Sequence, residues 1–325
     1  MATRRGVLAA ALALPGGAAL AQHADFPARP IRVVSPYAPG GVVDILSRLV
    51  GEPLGRRLGQ PVVVEARPGA GGNIGTAFVS RQRGDPYTLL MGASGPLAIN
   101  IALGQNVGYD PLIDLAPISL VAATPMLLVV NAASRSQALE DLLREIRATQ
   151  GTFIYGSGGP GTPQHLAGEM FRQKVGFQAT HVPYNGSAPA VTALLANEVP
   201  FLFDNLALVL PHLRGGRLRA LAVAGPARVP QLPDVPTMDE QGFRGFQARG
   251  WYGLLAPAGV PAPVIRRLSE EVQAVLREPE VAARLESSFG SAFVGTSPEG
   301  FAQFIAADIA RWQDVVRVGN LRVEG

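Results

Sequence analysis

Short apolar runs alternate along this chain with longer stretches whose apolar residues recur every three or four positions. IRVV at 31–34 is followed by such a stretch at 42–58, VVVE at 62–65 by another at 72–83, and then comes YTLLMG at 87–92. The runs show no two-residue alternation, so each strand is expected to be covered on both faces, as in a parallel sheet flanked by helices. A second series begins near 126–130. It predicts helix 136–150, strand 152–155, helix 162–175, strand 180–182, helix 187–197 and strands 199–203 and 218–224. Strands alternating with helices imply βαβ units. A Pro/Gly-rich passage, PDVPTMDEQGFRGF, then leads into the strand-like GWYGLLAP at 250–257.

The tail reads as helix only. Val264, Leu268, Val272 and Val275 mark one face of 262–277, a second piece covers 280–289, and a last helix starts at Ser297-Pro298 and carries Phe301, Phe304, Ile305, Ile309 and Trp312. These stripes need a sheet to cover, and the N-terminal one is available. The economical arrangement is an α/β protein of two lobes: residues 25–124 plus 245–325 in one, and 125–244 inserted as the other. Two crossing segments would form a hinge.

Two glycine-rich turns carry the chemistry. SPYAPGGVVD (35–44) and YGSGGPGTPQHL (155–166) each lie between a strand and a helix. Such a turn offers free backbone N–H groups at the positive end of a helix, a natural anion site. Gly40 and Gly41 let the backbone approach a ligand. Asp44 falls in the first helical turn, where it can cap the loop or contact a ligand. Thr162 is a natural N-cap, with Pro163 and Gln164 opening the helix. RPGAGGNIG (67–75) and GASGP (92–96, with Ser94) end strands on the same side, as do Tyr184 and Asp204, and ligands of open α/β sheets collect at the carboxyl ends of strands. Asp204 would accept a hydrogen bond from a ligand donor or orient Asn205.

Enzyme readings fare worse. Residues 156–161 match G-x-G-x-x-G, but no acid lies between 170 and 182 to hold a ribose, and Pro160 occupies the turn where donors should meet a pyrophosphate. Neither Ser94 nor Ser157 completes G-x-S-x-G. His165 reads as a helix-start or packing residue rather than a general base, and no metal-ligand spacing occurs.

Composition narrows the class further. The chain has 325 residues, 47% hydrophobic and 16% charged, with a net charge of +3 and no Lys/Arg run longer than two, which disfavours nucleic acid as a partner. Arg4 and Arg5 precede an apolar stretch that ends in Ala19-Leu20-Ala21, the pattern of a cleaved export signal over 1–21. With no cysteine there is no disulfide, no thiol chemistry and no lipoprotein anchor.

FPARPIRVVSPYAPGG, LGQPVVVEARPGAGGNIG, YGSGGPGTPQHLAGEMF, HVPYNGSAPA, FDNLALVLPHLRGGRLRALAV and LPDVPTMDEQG, in this order over nearly the whole chain after Phe26, strongly resemble the Bug-type receptors of tripartite tricarboxylate transporters. The resemblance implies a Venus-flytrap periplasmic binding protein that is not an enzyme and uses no cofactor or metal. It implies a small organic carboxylate as ligand, integral membrane transporter subunits as partners, a monomer, and a periplasmic location without a lipid anchor. It places ligand contacts at Tyr37, Pro39, Gly40, Gly41 and Asp44, and at Ser157, Gly161, Thr162 and Gln164. Val42 and Val43 depart from the small or polar residues usual after the glycine pair, which would make the pocket drier; Gly84-Asp85-Pro86 replaces the usual turn before YTLL. A receptor feeding a membrane sensor kinase, and less so an α/β enzyme acting on a small acid, are the alternatives.

Overall fold

The computed structural model describes residues 26–149, 152–290 and 295–319; the expected export signal at 1–21 lies outside them. Strands β1 (Ile31–Ser35), β2 (Val62–Ala66) and β3 (Thr88–Ala93) pair in parallel in the order β2-β1-β3. Helix α1 (Val42–Leu58) connects β1 to β2, and α2 (Asn73–Ser80) connects β2 to β3. The continuous apolar runs of β1 and β3 are explained by two cores, one on each sheet face, whereas β2, expected to be covered on both faces, is an edge strand with Val63 exposed. Val33 and Leu89 pack with Leu46, Val50 and Leu54 of α1, whereas the neighbouring Val34 and Leu90 face the opposite core.

The next strand, β4 (Leu115–Asn131), joins two half-sheets. Up to Pro125 it pairs antiparallel with β9 (Arg249–Pro257), which sits between β3 and β4. From Met126 it pairs instead with β7 (Phe201–Asn205) and β8 (Leu218–Val223). The sequence reading started this strand only near 126, because Pro117 and Pro125 interrupt the pattern. Pro117 sits at a register irregularity between itself and Ser119, the kind of position at which a sheet tolerates proline. The return crossing is at Ala248, whose N–H donates to Ala224 O (2.9 Å) just before β9 begins.

In the second half-sheet, β5 (Phe153–Ser157) lies parallel to β6 (Ala179–Pro183) and β7. Helices α3 (Leu139–Ala148), α4 (Pro163–Val175), α5 (Ser187–Leu195) and α6 (Leu206–Arg214) serve this half. Alternate β4 residues again enter different cores: Leu128 and Val130 meet Phe171 and Phe203, while Leu127 and Val129 meet Leu194 and Leu202. Helix α6 was not legible in the sequence, since FDN passes into it without a turn and Pro211 lies inside it.

The tail helices α7 (Ala262–Leu276), α8 (Pro279–Phe289) and α9 (Pro298–Gly319) cover the first half-sheet. Val264, Leu268 and Val272 join the α1 core, and Phe301, Ile305 and Trp312 fill the other. Trp251 Nε1 donates to the buried Asp308 on α9 (2.7 Å), so its one polar atom is satisfied. Helix α8 does more than expected. It also packs on α6 of the second half, and Gln231 Nε2 donates to Glu286 O (2.6 Å).

Candidate functional site

At the first glycine turn, Gly40 takes a positive φ of 79° and Gly41 caps α1 in extended geometry. The Asp44 carboxylate folds back to accept the Gly40 N–H (3.0 Å) and is held from behind by Arg48 (3.1 Å). It therefore braces the loop and does not line the cleft. Pro39 and Gly40 lie exposed on the lip, where Gly40 faces Ala188 of α5.

The second turn is braced in the same manner. Thr162 Oγ1 accepts the His165 N–H (3.3 Å), the N-cap bond expected for this residue, and donates to Gly159 O (2.7 Å). Ser157 Oγ is tied to Gly159 and to His181 Nε2 (2.5 Å), behind the turn rather than in the cleft. Gly161, with φ 67°, donates its N–H to His165 Nδ1 (3.1 Å) and abuts Asn100 of the first half, where a Cβ would collide with the amide oxygen.

Behind Thr162 the His165 and His181 rings stack at 3.7 Å between centroids. Burial, with a smaller effect of His181, pushes the His165 imidazole down to about 3, and burial pushes His181 down to about 4. Both rings are thus neutral near pH 7. His165 is a packing residue that supports the turn.

Between the turns lies a small, largely enclosed cavity of about 20 Å³. Tyr37, Gly41, Val42, Val43 and Ser94 contribute from the first half together with Tyr252 of β9; Gly158, Thr162, Gln164, Gly186 and Ser187 contribute from the second. No lining residue is charged, among the described residues. The starts of α1, α4 and α5 converge here, and the first N–H groups of any helix lack intrahelical partners, so the wall presents donors without a formal cation. The Ser94 hydroxyl lies buried at this wall with no partner. Tyr37 donates to Gly71 O (2.8 Å), and its ring lies between this cavity and an outer space of about 250 Å³ that includes Pro160, Pro183 and Tyr184. Tyr184 belongs to that outer space and does not reach the inner wall. The lips touch: Ala38 N–H donates to Asn185 O (3.3 Å).

Asp204 lies one layer deeper and is fully buried. Its Oδ1 accepts from the Asn205 N–H (2.7 Å) and from Gln164 Nε2 (3.3 Å), while Oδ2 has no partner. Gln164 Nε2 also donates to Ser187 Oγ (2.7 Å). Burial raises the Asp204 carboxyl to about 6 against the lowering pull of these donors. Burial, and next the Asp204 charge, push the Tyr252 phenol well above its usual range.

The sequence reading missed Ser187 and Tyr252. Asn185-Gly186-Ser187 is a third glycine turn from strand to helix, and that signal was present in the sequence. Tyr252 sits in a strand that reads as ordinary buried sheet, and only its place at the crossing brings it to the cleft.

Two half-sheets joined by two crossing strands, with helix N-termini from both halves facing one cleft, define the architecture of a two-lobed periplasmic binding protein. Two solved structures share it closely. Rpa4515 of R. palustris with adipate is 32% identical, with a TM-score of 0.87 over 91% of this chain and 99% of that one. MatC of Rhodopseudomonas palustris with bound malate is 31% identical, with a TM-score of 0.85 over 90% and 100%. Protein BugT of Bordetella pertussis is 36% identical over 94% of each chain. Residues 46–321 match the model of the tripartite tricarboxylate transporter family receptor, and the chain belongs to that family.

Proposed function

We propose that this protein is a periplasmic receptor that captures a small organic carboxylate in the cleft and delivers it to integral membrane subunits of a tripartite tricarboxylate-type transporter. The observation that carries this reading is the convergence of three helix N-termini from both half-sheets on a cavity with no charged wall. Each such end is equivalent to about +0.5 charge, which suits an anion without fixing a counter-ion beside it. The malate and adipate bound by its structural relatives are carboxylates of this kind.

In this reading residues 25–124 plus 245–325 form one lobe and 125–244 the other, with the hinge at the two crossings. The anion touches helix ends of both lobes only when they are together, and that difference in affinity drives closure. The chain works as a monomer, without cofactor or metal, and transforms nothing. Thermal denaturation with a panel of organic acids at millimolar concentration tests the proposal. At least one acid is expected to raise the melting temperature, with the gain lost in Thr162→Ala/Gln164→Ala; no shift with any acid, and no acid co-purifying in native mass spectrometry, overturns it.

A further inference from the structure

Beside the two crossings a second groove opens, of about 380 Å³, and it shares no described lining residue with the cleft. Strand β4 contributes Ala123, Thr124 and Pro125, the return crossing contributes Ala248 and Arg249, and the loop 224–230 closes one side. On β9, Arg249 and Trp251 share the face that meets α9, whereas Tyr252 points from the other face into the cleft. The groove is therefore a separate site, on the opposite side of the crossing sheet.

Its wall is mostly apolar, with Ala224, Val229 and Ala248 buried in it, and Pro226 and Pro230 fix the backbone on either side of Val229. Its charged groups are all of one sign. Arg228, Arg249 and Arg311 line it and no acid does, among the described residues. Arg228 is held by Glu240 (3.0 Å) and Arg311 by Asp308 (2.9 Å), neither of which lines the groove. The Arg249 guanidinium instead faces the Phe304 ring, 6.0 Å from its centroid. The negative end of α8 also reaches the groove, at Gly290, but Glu286 O there already accepts from Gln231 Nε2 (2.6 Å) and from the Gly290 N–H (3.1 Å). Two of the three positive charges are thus compensated and that of Arg249 is not. A guanidinium carries five N–H donors, so the paired arginines keep donors for a ligand as well. An apolar hollow of this size with a few convergent polar groups has the character of a small-molecule site.

We infer that this groove is a second ligand site, for a small organic anion with a carboxylate or sulfonate head on an apolar body. The head pairs with Arg249, where a charge-assisted hydrogen bond is stronger than a neutral one, and the body lies against Val229 and Ala248. Arg228 comes from the second half of the molecule, and Arg249 and Arg311 come from β9 and α9 of the first, so the site is complete only where the halves meet.

Fluorescence titration of the folded protein with anilinonaphthalene sulfonate, an aromatic monoanion, tests this. Saturable binding is expected, weakened at least about tenfold by Arg249→Gln, equivalent to about 1.4 kcal/mol, and largely restored by Arg249→Lys. Arg249 is exposed, so neither change disturbs the core. Ala227→Trp, which fills the groove without altering a charge, is expected to weaken binding by at least about tenfold as well. Thr162→Ala/Gln164→Ala locates the dye, because a dye in the groove is insensitive to changes in the cleft. Binding lost in that pair but kept in Arg249→Gln puts the dye in the cleft and overturns the inference. Binding that ignores both groove variants overturns it too, as does no binding at all. None of these outcomes decides whether the cleft takes a carboxylate, which the melting panel reads separately.

Discussion

Replacing Asp204 by Asn should stabilise the ligand-free protein at neutral pH. The carboxyl is fully buried, and burial raises it from 3.8 to about 6. The folded state therefore binds more protons than the unfolded chain between these values, so this group's contribution to stability falls as pH rises from about 4 to about 6. A shift of about two units corresponds to about 3 kcal/mol of cost when the group is ionised. The amide keeps an oxygen for Asn205 and Gln164 but buries an unpaired N–H where Oδ2 now stands, which costs about 1 kcal/mol. The net gain near pH 7.5 is about 2 kcal/mol, or about 3 °C in melting temperature for a chain of this size. The measurement is the difference in calorimetric melting between variant and wild type, taken near pH 7.5 and near pH 4. Using the difference matters because His165 and His181, both lowered by burial, make wild-type stability fall as pH drops below about 6.5, the opposite sense in the same window. The gap should shrink toward zero or reverse at the acid end. A gap of constant size across pH, or a variant that loses stability near pH 7.5, would falsify the argument.

Other outcomes follow from the same geometry. Thr162→Ala should cost about 1 kcal/mol in chemical denaturation through loss of the N-cap bond to His165, and retention of full stability would mean that the cap is idle. Gly161→Ala should leave both half-sheets folded yet weaken acid binding by at least about tenfold, because the residue is at positive φ and its Cβ meets Asn100 across the cleft; small-angle scattering should then show an extended form even with ligand, and a compact liganded form would refute the clash. The ring protons of His165 and His181 should show no titration by NMR between about pH 5.5 and 8, and a midpoint inside that range would mean that the stacked pair is open to solvent.

The apolar runs were enough to place β1 and β3, because each feeds two cores and leaves no polar face to confuse the pattern; apolar spacing placed β2, α1 and α4, although β2 is an edge strand with Val63 exposed. The glycine turns were legible for the same local reason: Gly40 and Gly161 adopt backbone conformations that other residues resist. What could not be read is where a side chain goes once the chain has turned. Asp44 and Ser157 look like ligand contacts in sequence, yet each satisfies its own loop, through Gly40 and Gly159 respectively. Asp204 sits behind Gln164 instead of in the wall. Tyr252 reaches the cleft only because β9 returns between β3 and β4, a pairing between residues far apart in sequence that no local pattern encodes.

That placement of β9 also sets an order of assembly. As the chain is made from its N-terminus, β1, β2 and β3 can pair early, but β3 then presents an open edge until residues 249–257 arrive. The intervening half-sheet, β5 to β8, is complete in sequence before that point apart from its partner segment of β4, which is older still. The inserted half can therefore consolidate while the first waits with unpaired backbone, a long-range closure that is intrinsically slow. Acquisition of the central strand, rather than formation of any helix, is the step at which this molecule is most exposed to mispairing with another copy of itself.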